Sequence, residues 1–233
     1  MKEKLKTLIS YFTAFEKALW FTSVLLITLS FILFKGAGTL SLVTSLLGVT
    51  SLIFCAKGNP IGQALIIVFS LLYGIISYTF SYYGEMITYA GMTLPMAVVS
   101  LVVWLKNPYG SGHSQVVIRK TTAMENTLIL LVCVPVTAVF YFILKYLNTA
   151  NIIPSTISIA TSAAAVIFTS RRSALYALAY ALNDIVLVVL WLLASLENST
   201  YVPVTTCFAV FLANDIYAFI SWNKLFRVQL AKS

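Results

Sequence analysis

Two acid–amide pairs, Asn183-Asp184 and Asn214-Asp215, stand inside apolar runs in the second half of the chain. An aspartate at bilayer depth costs roughly 2.5–3.5 kcal/mol on insertion scales, so it normally faces a cavity or a partner. On a helix, Tyr176, Tyr180, Asp184 and Trp191 fall at offsets of zero, four, eight and fifteen and share a face, with Asn183 alongside. Asn59, Gln63, Ser70, Tyr73 and Ser77 line a comparable face earlier in the chain, and Glu85, Tyr89 and Thr93 recur every fourth residue. The last apolar run adds Asn214, Asp215 and Trp222, with Tyr217 offset around the helix.

Such a set recognises rather than reacts. Aromatic rings offer stacking surfaces for a flat base, at about 1–3 kcal/mol per stacked base in nucleic-acid proteins. Amides and carboxyls supply the directional hydrogen bonds that orient a polar ligand in an apolar pocket. The implied ligand is small, planar and hydroxylated, such as a nucleoside or a vitamin. The competing reading is helix-to-helix hydrogen bonding at about 0.6 kcal/mol each, with Asp184 paired to Asn214 and the rings serving as interface anchors. The whole set, with two intramembrane acid–amide pairs, favours a cavity.

No catalytic residue, metal site or cofactor is expected. His113 is the only histidine and lies in a polar loop, which leaves no His-based triad or intramembrane zinc site. Cys55, Cys133 and Cys207 lie in apolar runs without CxxC spacing and read as small core hydrophobes. A GxxxxGK[ST] loop is missing, which argues against ATP-driven transport by this chain alone. Glu85, Glu125 and Glu197 fall near the ends of apolar runs, where a solvated role is the default.

The elements that must position these residues are membrane spans. Apolar residues make up 60% of the 233-residue chain and charged ones 9%, with a mean hydropathy of +0.95. Soluble domains run at about 45–50% apolar and about 25% charged. Eight apolar runs, 18–34, 38–56, 60–82, 86–105, 127–147, 152–170, 173–196 and 202–222, suit a hydrocarbon core of about 30 Å. The reading is an all-α polytopic membrane protein with eight transmembrane helices. Residues 1–17 read as a short interfacial helix leading into the first span rather than a cleaved signal peptide. The loop from Lys106 to Glu125 is the one exposed segment of any length expected.

The net charge of +8 does not mark a nucleic-acid surface, because the cations sit in the short gaps between apolar runs. With the N-terminus inside, thirteen of the fifteen Lys and Arg fall on the inner side, leaving only Lys35 and Lys145 outside. Both termini are therefore expected in the cytoplasm, with the chain in the plasma membrane.

A weak internal repeat lays the segment from Thr44 to Lys106 over the segment from Thr161 to Lys224. Val49 then meets Val166 and, with a one-residue adjustment, Tyr73 meets Trp191 and Trp104-Leu105-Lys106 meets Trp222-Asn223-Lys224. Two three-span units joined by one span form a parallel repeat, with substrate expected between the halves near the midplane. The expected division is 1–36 as N-terminal segment and extra span, 37–106 as first bundle, 107–150 as loop and linker helix, and 151–233 as second bundle with a cytoplasmic tail.

Asn59-Pro60-Ile61-Gly62-Gln63, Tyr73-Gly74, Tyr83-Gly84-Glu85, Trp104, Arg171-Arg172 and the stretch from Asn214 to Trp222 together resemble the PnuC-type nicotinamide riboside transporters, from about Gly38 to Arg227. The resemblance implies a SWEET-like 3+1+3 fold with an extra N-terminal helix. It also implies facilitated diffusion of an unphosphorylated vitamin or nucleoside, trapping by a cytoplasmic kinase and a possible homotrimer. Relatives carry thiamine, riboflavin or deoxynucleosides. The WxxW pair of nicotinamide riboside members falls here on Ala177 and Tyr180, one ring replaced and one absent, with Tyr176 adjacent. Residues and resemblance together nominate Asn59, Gln63, Tyr73, Tyr176, Tyr180, Asn183, Asp184, Trp191, Asn214 and Asp215 as substrate contacts. From a different class, a membrane scaffold or enzyme subunit with internally paired polar groups is the alternative.

Overall fold

The computed structural model describes residues 11–36, 38–79, 82–110, 114–149 and 151–232. Lys2, Lys4, Lys6 and His113, with most of the expected interfacial helix, lie outside them. Among the described residues eight helices are long and apolar enough to cross a membrane: α1 (Ala14–Leu33), α2 (Thr39–Ala56), α3 (Pro60–Thr79), α4 (Tyr83–Lys106), α5 (Ala123–Tyr146), α6 (Ile152–Ser170), α7 (Leu175–Glu197) and α8 (Val202–Leu230, entered through a 3₁₀ turn at Ser199–Tyr201). The chain is a multi-pass helical membrane protein.

Three boundaries differ from the apolar runs by four residues or more, each for a local reason. In α1 and α5, Thr13 with Glu16 and Thr122 with Glu125 form capping boxes, so helix begins before the greasy stretch does. α8 runs on past Trp222 because its polar tail has work at the helix ends. Gln229 accepts from Ile118 N at 2.8 Å and donates to the Val116 carbonyl at 3.0 Å. The segment expected to be exposed is thus partly folded in, with Val116, Ile118 and Thr121 buried.

α4 changes type along its length, with a π-helical stretch at Ile87–Thr93 between two α-helical pieces. Pro95 has no N–H, and its ring crowds the carbonyl four residues back, that of Gly91. The backbone answers by widening, and Leu94 N donates to the Tyr89 carbonyl, five residues back. Glu85, Tyr89 and Thr93 are all buried on the inner face of this helix.

α2 packs on α3 and α3 on α4; α6 packs on α7 and α7 on α8. The two sets meet where α8 touches α2 and where α4 touches α6. α1 lies over α2 and α8, while α5 leans chiefly on α6 and leaves most of its surface to lipid. Small residues set the closest approaches. A Cβ on Gly62 would stand 2.5 Å from Cys55 Sγ and 2.7 Å from the Cys55 backbone nitrogen, and one on Gly48 would run into the Phe211 ring.

Gly62→Ala is therefore expected to destabilise the protein by about 1–3 kcal/mol through overpacking of α2 on α3. Gly91→Ala, whose Cβ meets only Ile87 at 3.7 Å, should stay within about 0.5 kcal/mol of wild type. Thermal unfolding in detergent, followed by tryptophan fluorescence, checks both.

Candidate substrate site

α7 presents Tyr176, Tyr180, Asn183 and Asp184 to the centre of the bundle, and α8 presents Asp215. With Ser51 and Cys55 of α2, Phe69 of α3, Tyr89 and Thr93 of α4 and Phe211 of α8, they line one small cavity of about 40 Å³. Asn183, Asp184 and Asp215 are 2–3% exposed. The carboxyls of Asp184 and Asp215 interact with each other across the α7–α8 contact. Asp184 Oδ2 is buried and makes no hydrogen bond among the described residues. Asn183 is held by α6: its Oδ1 accepts from Thr161 Oγ1 at 2.9 Å and Ser162 Oγ at 3.0 Å.

Aromatic side chains close the cavity at both ends. Below it, Tyr176 meets Trp222 at 4.7 Å and Trp222 meets Trp104 at 5.4 Å between ring centres. Both indoles are pinned to backbone, Trp222 Nε1 to the Cys55 carbonyl at 2.7 Å and Trp104 Nε1 to that of Thr169 at 3.1 Å. Above it, Phe69 stacks on Tyr73 at 5.5 Å, Tyr73 meets Tyr89 at 4.5 Å, and Tyr82 meets Trp191 at 4.5 Å. A drug-sized ligand needs about 300–1,000 Å³. The cavity is closed to a nucleoside until the helices around it part.

Five of the ten nominated residues thus meet at one place: Tyr176, Tyr180, Asn183, Asp184 and Asp215. The other five are elsewhere. Gln63 donates to Cys55 Sγ at 3.4 Å and Tyr73 stacks on Phe69, so both stand directly behind lining residues. Trp191 belongs to the upper aromatic cluster. Asn59 caps the start of α3, accepting from Ile61 N at 2.9 Å, and donates to Tyr11 Oη. Asn214 donates to Ser23 Oγ of α1 at 3.1 Å and to its own helix at Val210 O, and so is not the partner of Asp184.

Two carboxylates escaped the sequence reading. Glu85 is buried rather than solvated, with Oε1 near Ser158 Oγ at 3.5 Å and Oε2 unpartnered. Its spacing with Tyr89 and Thr93 was the available signal. Glu16, 3% exposed, is bridged to Lys57 at 3.2 Å and accepts from Tyr217 Oη at 2.8 Å; the Thr13–Glu16 capping pattern pointed to it. Glu125, by contrast, is surface-accessible and paired with Arg119 and Arg171.

A polar chamber sealed by aromatic rings inside eight membrane spans is the arrangement of a small-molecule transporter. The family described as nicotinamide mononucleotide transporter matches residues 38–224, and the chain belongs to that family. It is 27% identical over 221 residues to the nicotinamide riboside transporter PnuC of Neisseria mucosa, covering 92% of this chain and 83% of that one. Its fold matches the crystal structure of the vitamin B3 transporter PnuC with a TM-score of 0.82 at 23% identity, over 94% of each chain.

Two carboxyls facing each other out of water do not both ionise, so replacing one by its amide removes any like-charge repulsion and still leaves an acid–amide hydrogen bond. Asp184→Asn and Asp215→Asn, taken singly, should each melt at or above the wild-type temperature in detergent at neutral pH. A loss beyond about 2 kcal/mol in either would mean that the carboxyl is held by partners whose pairing supports the fold.

Proposed function

We propose that this protein is a facilitator for nicotinamide riboside, moved across the plasma membrane by alternating access. The observation that carries this reading is that the chamber holds carboxyls and no basic side chain among the described residues. Two carboxyls and two tyrosine rings of α7 and α8 line it. Nicotinamide riboside is a flat cation with a hydroxylated sugar. The faces of Tyr176 and Tyr180 suit its charged ring, at about 0.5–2 kcal/mol per cation–π contact. Asp184, Asp215 and Asn183 suit the charge and the ribose hydroxyls. A mononucleotide would carry its phosphate into the same carboxyls with nothing to meet it. The family description names the mononucleotide, and the Neisseria relative the riboside; the chamber favours the riboside.

Rocking of 37–106 against 151–233, with 107–150 as connector and 1–36 as an added span, opens the chamber to one side at a time. The division is supported by the helix pairing and by the meeting of Trp104 with Trp222, residues that the repeat relates. Both termini face the cytoplasm by the charge bias. Phosphorylation by a cytoplasmic kinase traps the product, so the chain does no chemistry and needs no ATP. Association as a homotrimer belongs to the same proposal. A different vitamin is the second reading, favoured by Ala177, which is wholly buried and puts no ring where nicotinamide riboside members carry one. Thiamine, also a cation, is the member of that set the carboxyls suit best.

Liposomes holding the purified protein, without ATP or an ion gradient, should take up labelled nicotinamide riboside and leave nicotinamide mononucleotide outside. Tyr176→Ala or Tyr180→Ala should weaken riboside binding by about 1–3 kcal/mol, the range for a lost stacking partner. Competition by unlabelled thiamine, riboflavin and deoxynucleosides separates the two readings. Uptake no faster than in protein-free liposomes across that panel would overturn both.

A further inference from the structure

α5 packs mainly on α6 and stands off from α7, which leaves a membrane-facing groove of about 900 Å³. Its floor is α6, where Ala160 and Ala164 leave room beside Phe168; Leu130 and Val134 of α5 and Leu178 of α7 form the walls. The groove follows α5 from Asn126 to Phe142, roughly 24 Å at 1.5 Å per residue, more than one leaflet of a core about 30 Å thick.

At the Asn126 end the groove meets a recess of about 410 Å³, and the two share Asn126 and Leu175. The recess is of opposite character. Arg119, Lys120 and Arg227 line it, with the hydroxyls of Thr121 and Ser173, and among the described residues no carboxylate does. Glu125, which is not in the lining, pairs with Arg119 and Arg171, while Lys120 and Arg227 make no ion pair among the described residues. Burial first, then the charges of Arg119 and Arg171, lower the neighbouring Arg172 from its ordinary value, a sign that cations here press on one another. Asn126 Oδ1, at the junction, is shielded and lacks a hydrogen-bond partner. The inward bias of positive charge accounts for the sign of this end, but not for three cations gathered round one recess that opens into an apolar groove.

We propose that α5, α6, α7 and the 114–122 segment form a binding site for an anionic phospholipid, its phosphate in the basic recess and an acyl chain in the groove. Charge complementarity selects the headgroup, and the groove selects a chain-bearing ligand over a free anion. The site is separate from the central chamber and does not depend on which substrate is transported.

The test is native mass spectrometry of the full chain, released from detergent after exposure to equal amounts of dioleoyl phosphatidylglycerol and dioleoyl phosphatidylcholine. Phosphatidylglycerol should be retained preferentially. A basic residue near an anionic headgroup carries about a five-fold factor, so Lys120→Gln with Arg227→Gln should cut retention about ten- to thirty-fold. Both side chains are exposed, so folding should survive, which the melting temperature checks. Lys35→Gln with Lys145→Gln, at the other end of the bundle, should leave the preference intact. Equal retention of the two lipids, or a preference indifferent to Lys120 and Arg227, would overturn the proposal. So would release by millimolar inorganic phosphate, or equal retention of dihexanoyl phosphatidylglycerol, because a free anion site needs no groove. Loss of oligomer in the double variant with lipid retention unchanged would reassign the groove to a second copy of the chain.

Discussion

Two carboxyls share the interior of a bundle that has lipid for solvent. Asp184 and Asp215 come from adjacent helices and meet at a point where neither can reach bulk water. That arrangement is costly in hydrocarbon, and the surrounding structure makes it tenable. α6 ties Asn183 in place through Thr161 and Ser162, which fixes the rotation of α7 and so the direction of Asp184. α1 performs a comparable service for α8: Ser23 takes the Asn214 amide, turning Asp215 to the opposite side of its helix face.

The aromatic clusters follow from the same constraint. A polar chamber open to both sides at once would let solutes leak through, and rings flank it above and below. The lower closure rests on two indoles pinned to carbonyls of other helices, which makes it stiff. Above, ring packs on ring through Phe69, Tyr73 and Tyr89, next to the π-helical stretch of α4. Widened turns of this kind are frequent at functional sites. The upper closure is thus assembled from ring-on-ring contacts, and in the proposed cycle it is the end better suited to yield first.

The spans and the α7 stripe were legible in the sequence because both depend on periodicity alone. Tyr176, Tyr180 and Asp184 recur every fourth residue, and α7 places all three on the chamber. Periodicity failed where distance along the axis mattered. Trp191 is seven residues beyond Asp184, about 10 Å up the helix, and reaches a different layer. Asn214 and Asp215 looked alike as neighbours, yet successive residues point about 100° apart, and here Asp215 lines the chamber while Asn214 turns to Ser23 of α1. Asn59 read as polar lining because a capping asparagine at a membrane boundary has the same composition as a buried one. Nothing local revealed that Gln229 would fold the 114–122 segment over the helix ends, since that contact joins residues 111 apart.

The central claim is that a paired-carboxyl chamber selects its ligand by charge. The most direct measurement is equilibrium binding of nicotinamide riboside and of its reduced, uncharged dihydro form to wild type and to the Asp184→Asn, Asp215→Asn double variant, by quenching of protein fluorescence. The account predicts that wild type binds the cation at least about tenfold more tightly, a difference of about 1.4 kcal/mol, and that the double variant binds the two forms alike. Equal affinity of wild type for both forms would contradict it.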